Sequence, residues 1–187
     1  MYRIRLVVFT LLVLCGPNVY PATLLSVSGF LNDSGNAALI GSPVWAGGTP
    51  PTPLFADDFD IANNVALHTF SVAAPGNVNF LSSGFAAGGV DPYFTLFSGT
   101  GETATFLGSN FAQAFSTGGD FDLNFLLSAG DYTLALGAFA NMSFAENLGA
   151  GALGDGFIAL GGPSFLWNYY YELEVSTGGS GAPIPEP

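Results

Sequence analysis

Apolar and polar residues alternate with a period of two along much of the chain, most clearly over 121–139, FDLNFLLSAGDYTLALGAF. Phe121, Leu123, Phe125 and Leu127 fall on one side and Asp122, Asn124 and Leu126 on the other, so one row is expected on a core and most of the other in water. Residues 128–131 (SAGD) follow as a turn, in which Gly130 can take a positive φ and Asp131 can bond nearby backbone. Tyr132, Leu134, Leu136 and Ala138 then resume the alternation. The stretch reads as two strands folded back on each other. An isolated hairpin is marginal in water, so other strands must cover its apolar side.

The remaining segments supply that cover. A strand is expected over 24–30 (LLSVSGF), followed by a Gly- and Pro-rich passage to residue 53 whose Pro50, Pro51 and Pro53 remove backbone donors and argue against a central strand. The β-branched and aromatic run 65–72 (VALHTFSV) turns through Pro75, Gly76 and Asn77 into 78–85, a second expected hairpin. Both faces of 90–97 (VDPYFTLF) are apolar, which suits a central strand, and 98–101 (SGTG) turns it into a short return strand over 102–107. Residues 141–156 are rich in Gly and Ala, with one short helical turn near 143–147 and a brief strand from 157. In 167–175 (WNYYYELEV), Tyr169, Tyr171, Leu173 and Val175 should pack while Tyr170, Glu172 and Glu174 meet solvent. Beyond it, 176–187 (STGGSGAPIPEP) has the composition of a flexible linker.

Strands at this spacing with little helix predict an all-β protein: an antiparallel two-sheet sandwich, or jelly roll, with inner faces about 10 Å apart filled by large side chains. The expected division is a signal peptide over 1–22, an N-terminal strand and loop over 23–53, the sandwich domain over 54–175 and the linker over 176–187. Composition agrees. The 187 residues suit one domain, 49% hydrophobic content with 18 Phe provides a core, and 26 Gly with 12 Pro implies many turns.

Charge adds a compartment. The net charge is −12, and both basic residues, Arg3 and Arg5, stand ahead of the apolar run 6–14 (LVVFTLLVL). A positive head followed by an apolar run too short for a bilayer span is the pattern of a secretory leader, with Ala22 as the expected last residue before cleavage. The membrane is then met only in transit. Cys15 is the sole cysteine and lies inside the leader, so the exported chain would carry no thiol for redox or metal chemistry. It would also carry no Lys or Arg, which excludes nucleic acid as a partner because that affinity comes from cations neutralising phosphates.

Two resemblances follow from motifs. Asp91, Pro92 and Tyr93, followed by Ala129, Gly130, Asp131 and Tyr132, resemble the bacterial pre-peptidase C-terminal-like β domains, whose pattern is an Asp-Pro-aromatic strand, a polar loop and an apolar strand with an Ala-Gly-x-Tyr turn. That resemblance spans 54–175 and implies a β-sandwich. Pro185, Glu186 and Pro187 resemble the start of a PEP-CTERM sorting signal, in which an apolar segment and a basic cluster come next. It implies a surface or exopolysaccharide-associated protein of a Gram-negative bacterium, secreted or held at the cell surface, that is cleaved near Pro185.

Candidate chemistry is sparse. His68, the only histidine, sits mid-strand with no nucleophile-elbow pattern near it, and no cation is at hand to stabilise an oxyanion, so no enzyme is expected. Scattered carboxylates read as surface charge rather than a glycosidase pair. Asp57, Asp58, Asp60, Asp91, Asp120 and Asp122 are hard oxygen donors without a compensating cation and form a candidate calcium set, though no EF-hand spacing is present. No other cofactor is implied. Trp45, Trp167 and Tyr170 are the candidate stacking residues for a carbohydrate. The expectation is an exported, non-enzymatic sandwich with a structural or adhesive role in the cell envelope or extracellular matrix. Its expected partners are exopolysaccharide or cell-surface components, with a carbohydrate-binding module and a calcium-stabilised accessory domain as alternatives.

Overall fold

The computed structural model describes residues 21–33, 35–36, 64–110, 119–138, 141, 143–158, 168–178 and 182–183. Among these, the strands are β1 (Thr23–Phe30), β2 (Ala66–Val72), β3 (Gly76–Ser82), β4 (Tyr93–Ser98), β5 (Thr105–Ser109), β6 (Asp122–Leu127), β7 (Gly130–Gly137), β8 (Tyr170–Thr177) and β9 (Ala182–Pro183). One short helix, α1 (Phe144–Leu148), and a 3-10 turn at Leu153–Asp155 lie between β7 and β8.

The strands form two antiparallel sheets, β1-β8-β3-β6 and β2-β7-β4-β5, and β9 adds a short parallel pairing to the free side of β6. This is jelly-roll order: among the described strands most consecutive ones lie in opposite sheets and only β4 and β5 pair as neighbours in sequence. β1 is part of the sandwich, since it pairs with β8 along its length, from Thr23 opposite Ser176 to Phe30 opposite Tyr170.

Topology corrects the two expected hairpins. β6 pairs with β3 and β7 pairs with β2 and β4, so residues 128–129 carry the chain across from one sheet to the other. β2 and β3 are likewise split between the sheets. The physical reason lies in the apolar rows. Folded as an arch, the rows of the two strands face each other across the interior, and each strand gains its partners from elsewhere in the chain. The Tyr132 hydroxyl donates to the Ser128 carbonyl at 2.8 Å and clasps the crossing. The expected return strand after β4 is a true hairpin, with Thr95 opposite Ser109 and a register shift after Leu96.

The interior is built from the alternating rows. Phe80 of β3 stacks on Phe94 of β4 with ring centroids 5.3 Å apart, and Phe121 tilts against Phe94 at 4.9 Å. Phe70, Leu96, Leu134, Leu136, Leu173 and Val175 are buried around them. Each such side chain taken from water stabilises the fold by about 1.5–3 kcal/mol before entropy is counted.

A second apolar cluster lies on the far side of β4 and β7. Phe97 and Ala135, together with Val65, pack against Ala145, Leu153 and Phe157. Residues 143–158 are therefore a third layer over the second sheet, and this is why both faces of β4 are apolar. Ser143 caps α1 by accepting from the Glu146 amide, and Gly149 ends it with φ 73°, a left-handed value that costs glycine nothing. The layer is tied to the β5 side by Phe106 N–H to Gly151 O at 3.0 Å and Leu153 N–H to Ala104 O at 2.8 Å.

Candidate functional site

The two sheets differ on their outer sides. The second sheet is roofed by residues 143–158, whereas β1, β8, β3 and β6 turn an alternating row of mostly polar side chains outward. Ser26, Ser28, Glu172, Glu174 and Asp122 are exposed on this face, for the simple reason that the other parity of each strand is committed to the core. At one end of the face the half-buried Tyr170 ring lies 5.6 Å from the exposed Phe30 ring, and the Tyr170 hydroxyl donates to Glu172 Oε2 at 3.1 Å. The result, among the described residues, is a surface of hydroxyls and carboxylates with the exposed Leu81 and Leu126 on the β3–β6 side and one aromatic pair at an end. Such groups offer hydrogen bonds and a stacking edge to a neutral polyol and repel polyanions.

Of the stacking candidates, Tyr170 takes this place, while Trp45 and Trp167 lie outside the described residues. Of the calcium candidates, Asp57, Asp58 and Asp60 lie outside them as well, as do the leader and Pro185, Glu186 and Pro187. The other three acids are used by protein donors. Asp91 Oδ1 accepts from the Gly119 amide at 2.6 Å, and Asp120 accepts from the Phe85 and Ala86 amides at 3.1 and 2.8 Å. Asp122 Oδ1 accepts from Asn79 Nδ2 at 2.6 Å. Asp91 and Asp120 thus fasten the loop between β3 and β4 to the strand entrance at 119–120. Among the described residues, no group of three or more His, Cys, Asp or Glu side chains converges to hold a metal ion.

His68 belongs to the inner row of β2, between Ala66 and Phe70, and its Nε2 lies 3.1 Å from the Tyr171 hydroxyl of β8. Burial lowers its pKa from the usual 6.5. Tyr171 is raised by burial first and by the negative charge of Asp33 second. Imidazole and phenol together form a polar tie between the sheets.

Among the described residues Glu146, which was not among the sequence candidates, is a largely buried carboxylate. It projects from α1 onto the roofed sheet, where Ser109 donates to Oε1 and Thr95 donates to Oε2 at 3.2 Å, with the Tyr93 hydroxyl beside it. Burial pushes its carboxyl above the usual 4.5, against the pull of these hydroxyls, and its charge adds to the burial that holds Tyr93 well above 10.0. The sequence signal was indirect. Ser143 followed three residues later by Glu146 has the spacing of a helix-start capping box, yet here the carboxylate serves the sheet below.

No protein-family model and no curated protein matches this chain.

Proposed function

We propose that the chain is an exported, non-enzymatic β-sandwich with a structural or adhesive role in the cell envelope or extracellular matrix. The observation that carries this reading is the asymmetry of the sandwich: one outer face is roofed by the protein's own residues 143–158, while among the described residues the other exposes Ser26, Ser28, Asp122, Glu172 and Glu174 beside Leu81 and Leu126, with Asn79 and Asn124 buried in its outward row. A matrix protein needs such a face for contact with polymers, and the jelly roll makes one as the by-product of burying the opposite parity of each strand. The leader pattern at 1–22 and the likeness of Pro185, Glu186 and Pro187 to a PEP-CTERM signal support export and sorting. Asp91, Pro92 and Tyr93 with Ala129, Gly130, Asp131 and Tyr132 support a relationship to pre-peptidase C-terminal-like domains.

A carbohydrate partner is the second reading, favoured by the Phe30–Tyr170 pair beside Glu172. Affinity electrophoresis in gels cast with neutral polysaccharides tests it. Retardation is expected, and Phe30→Ser with Tyr170→Ser should abolish it at an unchanged melting midpoint. Equal mobility in every gel removes the sugar reading. Cell fractionation with mass spectrometry of the amino terminus tests export itself, and an intact leader on a cytosolic protein overturns it.

A further inference from the structure

We propose that Glu146 is a proton-operated latch that holds residues 143–158 on the outer face of the second sheet. Three elements converge on the carboxylate: α1 carries it, β4 presents Thr95 and Tyr93, and β5 presents Ser109. On either side, Ala145, Leu153 and Phe157 bury the outer row of the sheet, Phe97 and Ala135 included. When the layer lifts, those apolar side chains and the carboxylate reach water together.

Among the described residues, the groups facing Glu146 offer hydrogen bonds but no positive charge. From the strands they are the Ser109, Thr95 and Tyr93 hydroxyls, and from α1 itself the Ser143 hydroxyl bonds the Glu146 amide rather than its side chain. The layer's other acid, Asp155, is exposed and accepts from the Ala152 amide at 2.8 Å, and Glu102, in the turn between β4 and β5, is exposed as well. Arg3 and Arg5 are the only Lys or Arg residues in the sequence, and His68 faces Tyr171 inside the sandwich. An ionised Glu146 therefore keeps its charge partly desolvated, with hydroxyls as its compensation among the described residues, whereas a protonated one fits the same pocket of hydroxyls at no charge cost.

The sign follows from proton binding. Closed, the carboxyl has a raised pKa; open, it returns to the ordinary 4.5. The closed layer binds the proton more tightly, so opening grows as pH rises from the ordinary value through the raised one, then levels off. Acid closes the latch and neutral pH loosens it, baring the Phe97 side of the sheet.

Hydrogen exchange of the whole chain, measured by mass spectrometry across that range, reads the latch. Protection of residues 143–158 relative to that of β4 and β7 should fall with rising pH, by about tenfold for each unit by which burial has raised the carboxyl. Glu146→Gln keeps shape and hydrogen bonding but cannot titrate, so its relative protection should not depend on pH. Equal pH dependence in wild type and Glu146→Gln, or none in wild type, overturns the proposal. Should Glu146→Gln fail to fold, Ser109→Ala serves: losing a donor to the ionised form must move the opening midpoint to higher pH, and an unmoved midpoint is equally fatal.

Discussion

His68 Nε2 lies 3.1 Å from the Tyr171 hydroxyl, and this contact joins an edge strand of one sheet to an inner strand of the other. Its neighbours are tight. A Cβ added at Gly29 would lie 2.8 Å from the same hydroxyl, so β1 also closes on this point.

The first prediction concerns that contact. Tyr171→Phe removes one hydrogen bond and strands a partly buried imidazole, at a cost of about 1–2 kcal/mol in urea unfolding at neutral pH. The pH dependence has a definite sign. Because burial lowers the His68 pKa from 6.5, the unfolded chain binds the extra proton, and the native state loses stability as pH falls below that value. His68→Gln should therefore gain on wild type as the medium is acidified, in urea melts run in parallel. A constant difference would show that His68 does not titrate on unfolding.

The loop after β3 makes the second. A Cβ at Gly89 would sit 2.3 Å from the Tyr170 carbonyl and 2.7 Å from the Gly84 carbonyl, both backbone atoms that cannot step aside. Gly88, with φ 85°, has nothing within 4 Å. Gly89→Ala is expected to cost roughly 2–4 kcal/mol by forced backbone movement, and Gly88→Ala about 1–2 kcal/mol by left-handed strain alone. Thermal melting of the pair should preserve that order.

Asp120 supplies the third. With both oxygens taken by the Phe85 and Ala86 amides, Asp120→Ala leaves two donors to find water and should cost about 1–3 kcal/mol. If those amides are its whole purpose, the loss will be the same in calcium and in chelator. A midpoint rescued or raised by calcium in wild type alone would instead mark Asp120 as a ligand.

The core gives the fourth. Phe94 is fully buried between Phe80 and Phe121, so Phe94→Ala should cost about 3–5 kcal/mol, enough to unfold much of the population. Leu126, on the same sheet as Phe80 but 75% exposed, is the control: Leu126→Ser should change stability by less than about 0.5 kcal/mol. Circular dichroism melts separate the two.

What the sequence determined by itself is which side of each strand is apolar. Tyr171, Leu173 and Val175 lie inward and Glu172 and Glu174 outward, as a period of two requires, and the doubly apolar β4 is central in its sheet. The short helical turn expected near 143–147 is found as α1, Phe144–Leu148, and the Ser143 cap that begins it is a local feature. What only the tertiary structure decided is which strand lies beside which. The alternation of 121–139 is the same for a hairpin as for an arch, and hydrogen bonding to β3 on one side and to β2 and β4 on the other is a fact about distant segments. The burial of Glu146 is of that kind too. Nothing near it in sequence announces Ser109 or Thr95, and a carboxylate on a short helix is ordinary surface charge until a sheet is placed beneath it. Side-chain periodicity is written within a segment, whereas pairing and desolvation depend on what the rest of the chain brings to it.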